Sequence, residues 1–502
     1  MCGSGQLAVL LVLLLCALRD VAPLPDSGML FPRESPSREV KELTGLWDFR
    51  ADLSPSRDLG FQKAWYKSRL AETGPVIDMP VPASYNDITQ DPMLRDFIGW
   101  VWYEREVVVP ARWVADEGTR VVLRVGSAHY YSVVWVNGVK VTEHNGGHLP
   151  FEAEIGDLPQ VHMMAADGRA AYEDVYTLPV GIRTVKVTST QFLINNKPFY
   201  FHGVNKHEDS DIRGKGFDWP LIVKDFNLLK WLGANSFRTS HYPYAEEILQ
   251  MCDRHGIVVI DECPGVGIKD IRSFRNASLA HHLVVMDELV RRDKNHPSVV
   301  MWSVANEPAS EMPPAGLYFK TLITHTKTLD PTRPVTYVTC SNYARDKGAP
   351  YVDVLSVNSY FSWYHDPGHL ELIPIQLNTQ FENWYGKYQK PIIQSEYGAD
   401  AVPGLHSDPP VMFTEEYQKL VLQGYHSVFD QKRKEYVIGE LIWNFADFMT
   451  AQGVVRVVGN KKGIFSRQRQ PKAGAFILKE RYWRLANETG RLPPWTKYSC
   501  LL

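Results

Sequence analysis

From Phe199 onward, short β-branched and aromatic runs alternate with stretches in which apolar residues recur three and four positions apart. The runs at 200–204, 235–239, 257–261, 299–305, 335–339, 352–357, 392–395 and 437–443 predict strands. The stretches at 221–232, 245–255, 279–294, 317–329, 370–388 and 414–429 predict helices between most of them. Eight strands alternating with helices over about 250 residues is the length and rhythm of a (β/α)8 barrel. In that fold, groups that do chemistry sit at the C-terminal ends of strands.

The first half of the chain has a different pattern. Residues 45–50 alternate like a half-buried strand, 100–109 is a long aromatic and β-branched run, and 121–125 is another strand. Residues 133–141 predict a hairpin turned by Asn137-Gly138. Short strands separated by turn signals predict a β-sandwich over 27–160. Residues 161–175 follow neither period and predict a linker. The run at 178–188 reads as a solitary strand, and a hairpin at Asn195-Asn196 leads on to Pro198. The segment from 161 to 197 is too short for a second sandwich, which needs roughly 100 residues.

Two of the predicted barrel strands end on a carboxylate. Residues 299–305 run into Asn306-Glu307-Pro308, and Pro391-Ile-Ile-Gln-Ser leads to Glu396. A buried strand ending in a charge is costly unless that charge has a partner or a task. Paired carboxyl groups are the requirement of glycoside hydrolysis, one to protonate the leaving oxygen and one to capture or stabilise the sugar cation. Glu307 suits the acid/base and Glu396 the nucleophile, with Asn306 placed to bond a sugar 2-hydroxyl. Tyr360, at the end of the sixth predicted strand, is placed to hold Glu396 ionised. His202, Asn205, His207, Glu208, Arg238 and His241 follow the first two strands. A structural hydrogen bond beneath the site is the plainer role for most of them, and His241 is the one placed to touch substrate.

Composition narrows the picture. A formal net charge of −3 gives no electrostatic case for nucleic acid or an anionic membrane. The apolar run at 7–18 is shorter than the roughly 20 residues a bilayer needs and fits a secretory leader, with cleavage between Ala17 and Ser27. Cys252, Cys263, Cys340 and Cys500 have no metal-ligand or disulfide-framework spacing, so free thiols with at most one bridge are expected. Sequons begin at Asn276 and Asn487. A metal hydrolase would need ligand spacings such as His-x-His or His-Glu-x-x-His, which the sequence lacks.

Taken together, His202-Gly-Val-Asn-Lys-His-Glu, Arg238-Thr-Ser-His-Tyr-Pro, Trp302-Ser-Val-Ala-Asn-Glu-Pro, Ser395-Glu-Tyr-Gly and Trp443-Asn-Phe-Ala-Asp-Phe resemble glycoside hydrolase family 2. The resemblance implies a truncated jelly-roll-like β-sandwich followed by a TIM barrel over 198–502. It also implies retaining chemistry at Glu307 and Glu396, with Arg238, His241, Tyr360 and Trp443 lining the site. Gly459-Asn460-Lys461-Lys462-Gly463 resembles the segment in which Asn460 and Lys462 would recognise the C6 carboxylate of a sugar acid. The implied substrate is therefore a terminal β-D-glucuronic acid residue on a glycosaminoglycan or conjugate. No metal or organic cofactor, a homotetramer and a lysosomal location are implied with it. Family members carry an immunoglobulin-like sandwich before the barrel, nearly all of which is absent here between about Gln160 and Tyr176, together with an acidic residue that reaches the substrate. The competing expectations are another exo-glycosidase of the family, or an impaired form that only binds carbohydrate or other subunits.

Overall fold

The computed structural model describes residues 30–115, 119–156, 176, 178, 180–454, 456 and 458–490. The leader at 7–18, the aperiodic segment at 161–175 and Cys500 lie outside the described residues.

Strands β1 (Phe201–Asn205), β2 (Ser236–Arg238), β3 (Val258–Glu262), β4 (Val299–Asn306), β5 (Val335–Thr339), β6 (Leu355–Asn358), β7 (Ile392–Glu396) and β8 (Val437–Ile442) close into a parallel barrel. Closure is made by β8 on β1, with Phe201 opposite Gly439 and Val204 opposite Ile442. Every residue of these strands is buried except the half-buried Val258. Burial on both faces is why the runs are apolar throughout rather than alternating. Gly203 allows β1 and β2 to approach, since a Cβ there would meet the Ser236 carbonyl oxygen at 2.1 Å.

Helices α1 (Trp219–Leu232), α2 (Glu246–His255), α3 (Asn276–Asp293), α4 (Ala315–Leu329), α5 (Ile373–Tyr388), α6 (Glu415–Lys432) and α7 (Ala473–Glu488) surround the strands. Helix α1 starts where the Asp218 carboxylate accepts from the Leu221 N–H and stops at Gly233, whose φ of 76° is left-handed. Helix α7 was not among the predicted helices. It follows a long irregular stretch and is fixed by Tyr482, whose hydroxyl donates to the Gly203 carbonyl at 2.6 Å. No helix joins β5 to β6.

The run at 178–188 is not solitary. Val185–Val187 pairs antiparallel with Phe192–Ile194, which pairs in turn with Lys197–Pro198. The hairpin turns through Asn195 and Asn196, at φ 53° and 61°. Phe192, Phe199 and Phe201 pack with Ile260, Val300, Met301, Ile393 and Leu441, so this small sheet plugs one end of the barrel.

In the N-terminal region Gly45–Ala51 is the centre of a three-stranded antiparallel sheet with Ile77–Val81 and Val101–Glu104. Val122–Val125 pairs with Phe151–Glu154, and Tyr131–Val136 with Val139–Asn145 across Asn137-Gly138. The predicted strand at 100–109 is cut to four residues: its ladder to the central strand ends at the Asp48–Glu104 pair, although that central strand continues to Gly45 against Ile77–Val81. Trp102 stacks on Trp135 at 5.5 Å and meets Trp65 at 5.7 Å, joining two of the sheets. Arg124 Nη2 bonds Glu246 Oε2 at 2.8 Å and so ties this region to α2.

Candidate active site

Asn205, Arg238, Glu262, Asn306, Asn358 and Glu396 are each the last residue of their strand. Strand closure therefore sets a ring of polar side chains at one mouth of the barrel. Arg238 is at its centre, fully buried, with all five N–H donors used. Nε and Nη2 fork onto Glu262 at 2.8 Å each, Nη1 reaches Asn205 Oδ1 at 2.9 Å and Glu396 Oε1 at 2.8 Å, and Nη2 also bonds Asn306 Oδ1 at 2.7 Å. Burial alone would lower the pKa of this guanidinium, but Glu262 and Glu396 outweigh that and raise it.

Glu396 has a partner on each oxygen. Oε1 accepts from Arg238, and Oε2 accepts from the Tyr360 hydroxyl at 2.6 Å. Burial raises this carboxyl, Arg238 and Tyr360 pull it down and the neighbouring Glu307 pushes it up, with the balance at about 7. Tyr360 itself is held well above its ordinary range, by burial first and Glu396 second, so it remains a donor. His241 Nε2 lies 4.0 Å from Glu396 Oε1, and its ring stacks on Trp443 at 5.1 Å. Its backbone takes a φ of 78°, and its N–H donates to Glu262 Oε1 at 2.7 Å.

Glu307 follows β4 in a left-handed conformation, φ 43°, strain of the kind that collects at working sites. Its N–H donates to the Val338 carbonyl at 2.8 Å, and its Oε1 accepts from Asn358 Nδ2 at 2.8 Å. Lys269 Nζ stands 3.7 Å from Oε2 and donates to the Glu307 carbonyl at 2.6 Å. The two glutamates thus share one cluster but differ in surroundings: Glu396 is enclosed and doubly bonded, Glu307 is partly open.

Asn460 and Lys462 are both buried on the flank beyond Tyr360. The Lys462 N–H donates to Asn460 Oδ1 at 3.0 Å. Lys462 Nζ bonds Asp400 Oδ2 and the Tyr364 hydroxyl, and lies 5.5 Å from the centre of the Tyr360 ring. Arg456 donates to the same Tyr364 hydroxyl at 2.6 Å and stands 3.9 Å from Asp400. Two cations around one buried carboxylate leave this flank with net positive charge.

Other expected positions are further from the glutamates. His202 is buried below, bonded to Asn235, and Glu208 Oε1 accepts from the Ala245 N–H at 2.9 Å. Asn276 and Asn487 are exposed, at the start of α3 and near the end of α7. Cys252, Cys263 and Cys340 are free thiols. Among the described residues no group of three or more His, Cys, Asp or Glu is gathered to hold a metal ion.

The fold agrees with comparisons to known proteins. Residues 40–163 match the sugar binding domain and residues 185–487 the TIM barrel domain of glycosyl hydrolases family 2. The chain belongs to that family. It is 56% identical to the beta-glucuronidase of Mus musculus over 605 aligned positions, covering 92% of this chain and 93% of the relative. To the Homo sapiens beta-glucuronidase it is 54% identical over 622 positions, covering 95% and 96%. Among solved structures, the beta-glucuronidase of an uncultured Clostridium sp. superposes with a TM-score of 0.84 at 40% identity, covering 91% of this chain and all of that one. The beta-D-glucuronidase from Dictyoglomus thermophilum gives 0.79 at 40% identity, covering 91% and 99%. The alignments to the mammalian relatives run longer than the 502 residues of this chain, so those family 2 proteins carry a long stretch with no counterpart here.

Within this family 2 barrel, Glu262, Asn358, Lys269, Asp400, Tyr364 and Arg456 join the cluster without having been singled out in the sequence. A usable signal existed for two of them: Glu262 and Asn358 close apolar strand runs as Glu396 does. Asp400, Tyr364 and Arg456 come together only because loops after β6, β7 and β8 converge.

Proposed function

We propose that this chain is a retaining exo-hydrolase that releases terminal β-D-glucuronic acid from saccharides and conjugates. The observation that carries the reading is the buried Lys462 ammonium beside Asn460, one aromatic ring away from Glu396. An ammonium and an amide bind a planar carboxylate that a neutral hexoside lacks. With the sugar acid held there, Glu396 attacks the anomeric carbon while Glu307 protonates the departing glycosidic oxygen, leaving a glycosyl ester on Glu396. Glu307 then takes a proton from water, which attacks the same carbon and frees Glu396. Arg238 and Tyr360 favour the ionised form of Glu396 against the burial that raises its pKa and keep it aimed between these steps, and Asn306, fixed by Arg238, bonds the 2-hydroxyl. Retention predicts carboxyl groups about 5–5.5 Å apart and a β-anomer as first product, read by NMR.

Lys462→Leu tests the specificity claim. It lowers kcat/KM for a phenyl β-glucuronide by about 10²-fold or more, with little change for the corresponding β-glucoside. Wild-type protein that turns over both glycosides equally would contradict it.

The leader at 7–18 and the exposed sequons at Asn276 and Asn487 support export, glycosylation and a lysosomal destination. A homotetramer follows from the family likeness. The long stretch present in the mammalian relatives and absent here favours a second reading, an impaired chain that binds carbohydrate or other subunits without turnover.

A further inference from the structure

The small sheet that plugs the barrel has a free edge. Val185–Val187 pairs with Phe192–Ile194 on one side and, among the described residues, with no strand on the other. Asn195 donates its N–H to the Thr184 carbonyl and Thr188 its N–H to the Gln191 carbonyl, both at 2.9 Å, with Lys186 opposite Leu193 between them. Bonded pairs alternate along an antiparallel ladder, so the N–H and C=O groups of Val185 and Val187 point away from the hairpin. The edge is held in place. The Val185 and Val187 side chains pack against the cluster of Phe192, Phe199 and Phe201, and Arg183 donates to the Pro297 carbonyl at 2.7 Å. A fixed row of unpaired main-chain groups is a template for another strand.

A groove of about 620 Å³ runs beside that edge, within the range that ligands fill. Residues 185–189 make one wall, and the segments entering β5, β6 and β7 make the other. The groove therefore lies at the end of the barrel opposite Glu307 and Glu396. Pro331, Pro334 and Pro391 in the facing wall have no N–H to offer the edge. Charge here is unbalanced. Lys327 is bonded to Asp353 at 2.7 Å and Arg333 to Asp330 at 2.5 Å. Lys390 donates only to the carbonyls of Ala349 and Pro350, at 3.1 and 2.7 Å. Burial lowers its pKa; Asp353 opposes this, but Lys327 already bonds Asp353 and its own charge adds to the lowering. Lys186 is exposed on the edge strand, with no ion pair among the described residues. Four cations thus meet two carboxylates, an excess that attracts negative charge. No aromatic ring lines the groove among the described residues, which leaves a saccharide nothing to stack on.

We propose that this groove takes an acidic, extended segment of a partner protein, added as a fourth strand at Val185 and Val187 with its carboxylates toward Lys186 and Lys390. Main-chain bonds to the edge supply the grip and the two ammonium groups select the sign of charge. The surface is independent of the hydrolytic reading, since none of its residues touches the glutamate cluster.

The test is calorimetric titration of the full chain with a capped heptapeptide that alternates valine and glutamate. The peptide binds, and the same peptide with lysine in place of glutamate does not. Two further forms carry N-methyl groups on all valine or on all glutamate nitrogens. Only one of these sets faces the edge, so one form loses affinity about tenfold or more and the other keeps it. Lys390→Met weakens the parent peptide about three- to fivefold, the size of one charge contact, and added salt weakens it as well. Val187→Pro removes one outward N–H at an edge position while the hairpin's own ladder stays bonded, and it lowers affinity about fivefold or more. The methylated peptides decide the question even if that variant fails to fold. No binding of the parent peptide, or the same response to both methylated forms, overturns strand addition. A heparin-derived tetrasaccharide that binds more tightly than the peptide and loses affinity in Lys390→Met also overturns it, by assigning the groove to a polyanionic saccharide.

Discussion

The barrel and the N-terminal β region use the same kind of strand and end with different degrees of self-sufficiency. Each barrel strand pairs on both sides, and the ring closes at β8 and β1. The N-terminal strands form one three-stranded and two two-stranded sheets among the described residues, so most of them pair on one side only. Exposure follows: Leu46, on the central strand of its sheet, is 65% exposed and Val139 is 44%, whereas β4 keeps all its residues buried. Isolated two-stranded sheets are marginal, and open edges with apolar side chains invite association. The lesson is that closure, more than strand propensity, lets the barrel carry a buried charge network while the sandwich depends on segments from elsewhere.

The comparison breaks first at Arg238. Arg238→Met strands Glu262 and Glu396 without their shared cation, and is expected to cost the barrel about 3–5 kcal/mol in urea unfolding, with loss of turnover. A milder perturbation reads the barrel through pH. Burial raises Glu208 to about 7 from its ordinary 4.5, so the folded chain holds that proton more tightly than the unfolded one. The stability this contributes is complete below about 4.5 and is lost as pH rises through 7. Wild type therefore loses about 1–3 kcal/mol relative to Glu208→Gln between pH 5 and 8, measurable as a pH-dependent difference in melting temperature. The smallest effect on stability belongs to the open region. Leu46→Ser changes unfolding free energy by about 0.5 kcal/mol or less, but lowers concentration-dependent association in sedimentation.

Much of the barrel was legible because continuous apolar runs and helical periodicity agree with one another over the whole second half. Glu307 and Glu396 were legible for a related reason: a charge at the end of a buried run has few uses. The run at 100–109 shows the limit of that logic, since its residues favour a strand but find no ladder beyond Glu104. The run at 178–188 reads as solitary in sequence because the partner of Val185–Val187 is the short following strand Phe192–Ile194 rather than a strand of a sandwich. Asp400, Tyr364 and Arg456 carry no periodic signal at all, and the Lys462 environment exists only once three loops meet.

The central claim is that the closed barrel sustains glucuronide hydrolysis even though the chain lacks a stretch that its mammalian relatives carry. The most direct measurement is release of a fluorogenic phenol from a β-D-glucuronide at acidic pH by size-fractionated protein, beside Glu396→Ala. The expected result is turnover by wild type, reduced about 10⁴-fold or more by the substitution. Folded wild-type protein of correct size with no turnover, or turnover that survives Glu396→Ala, would contradict the claim.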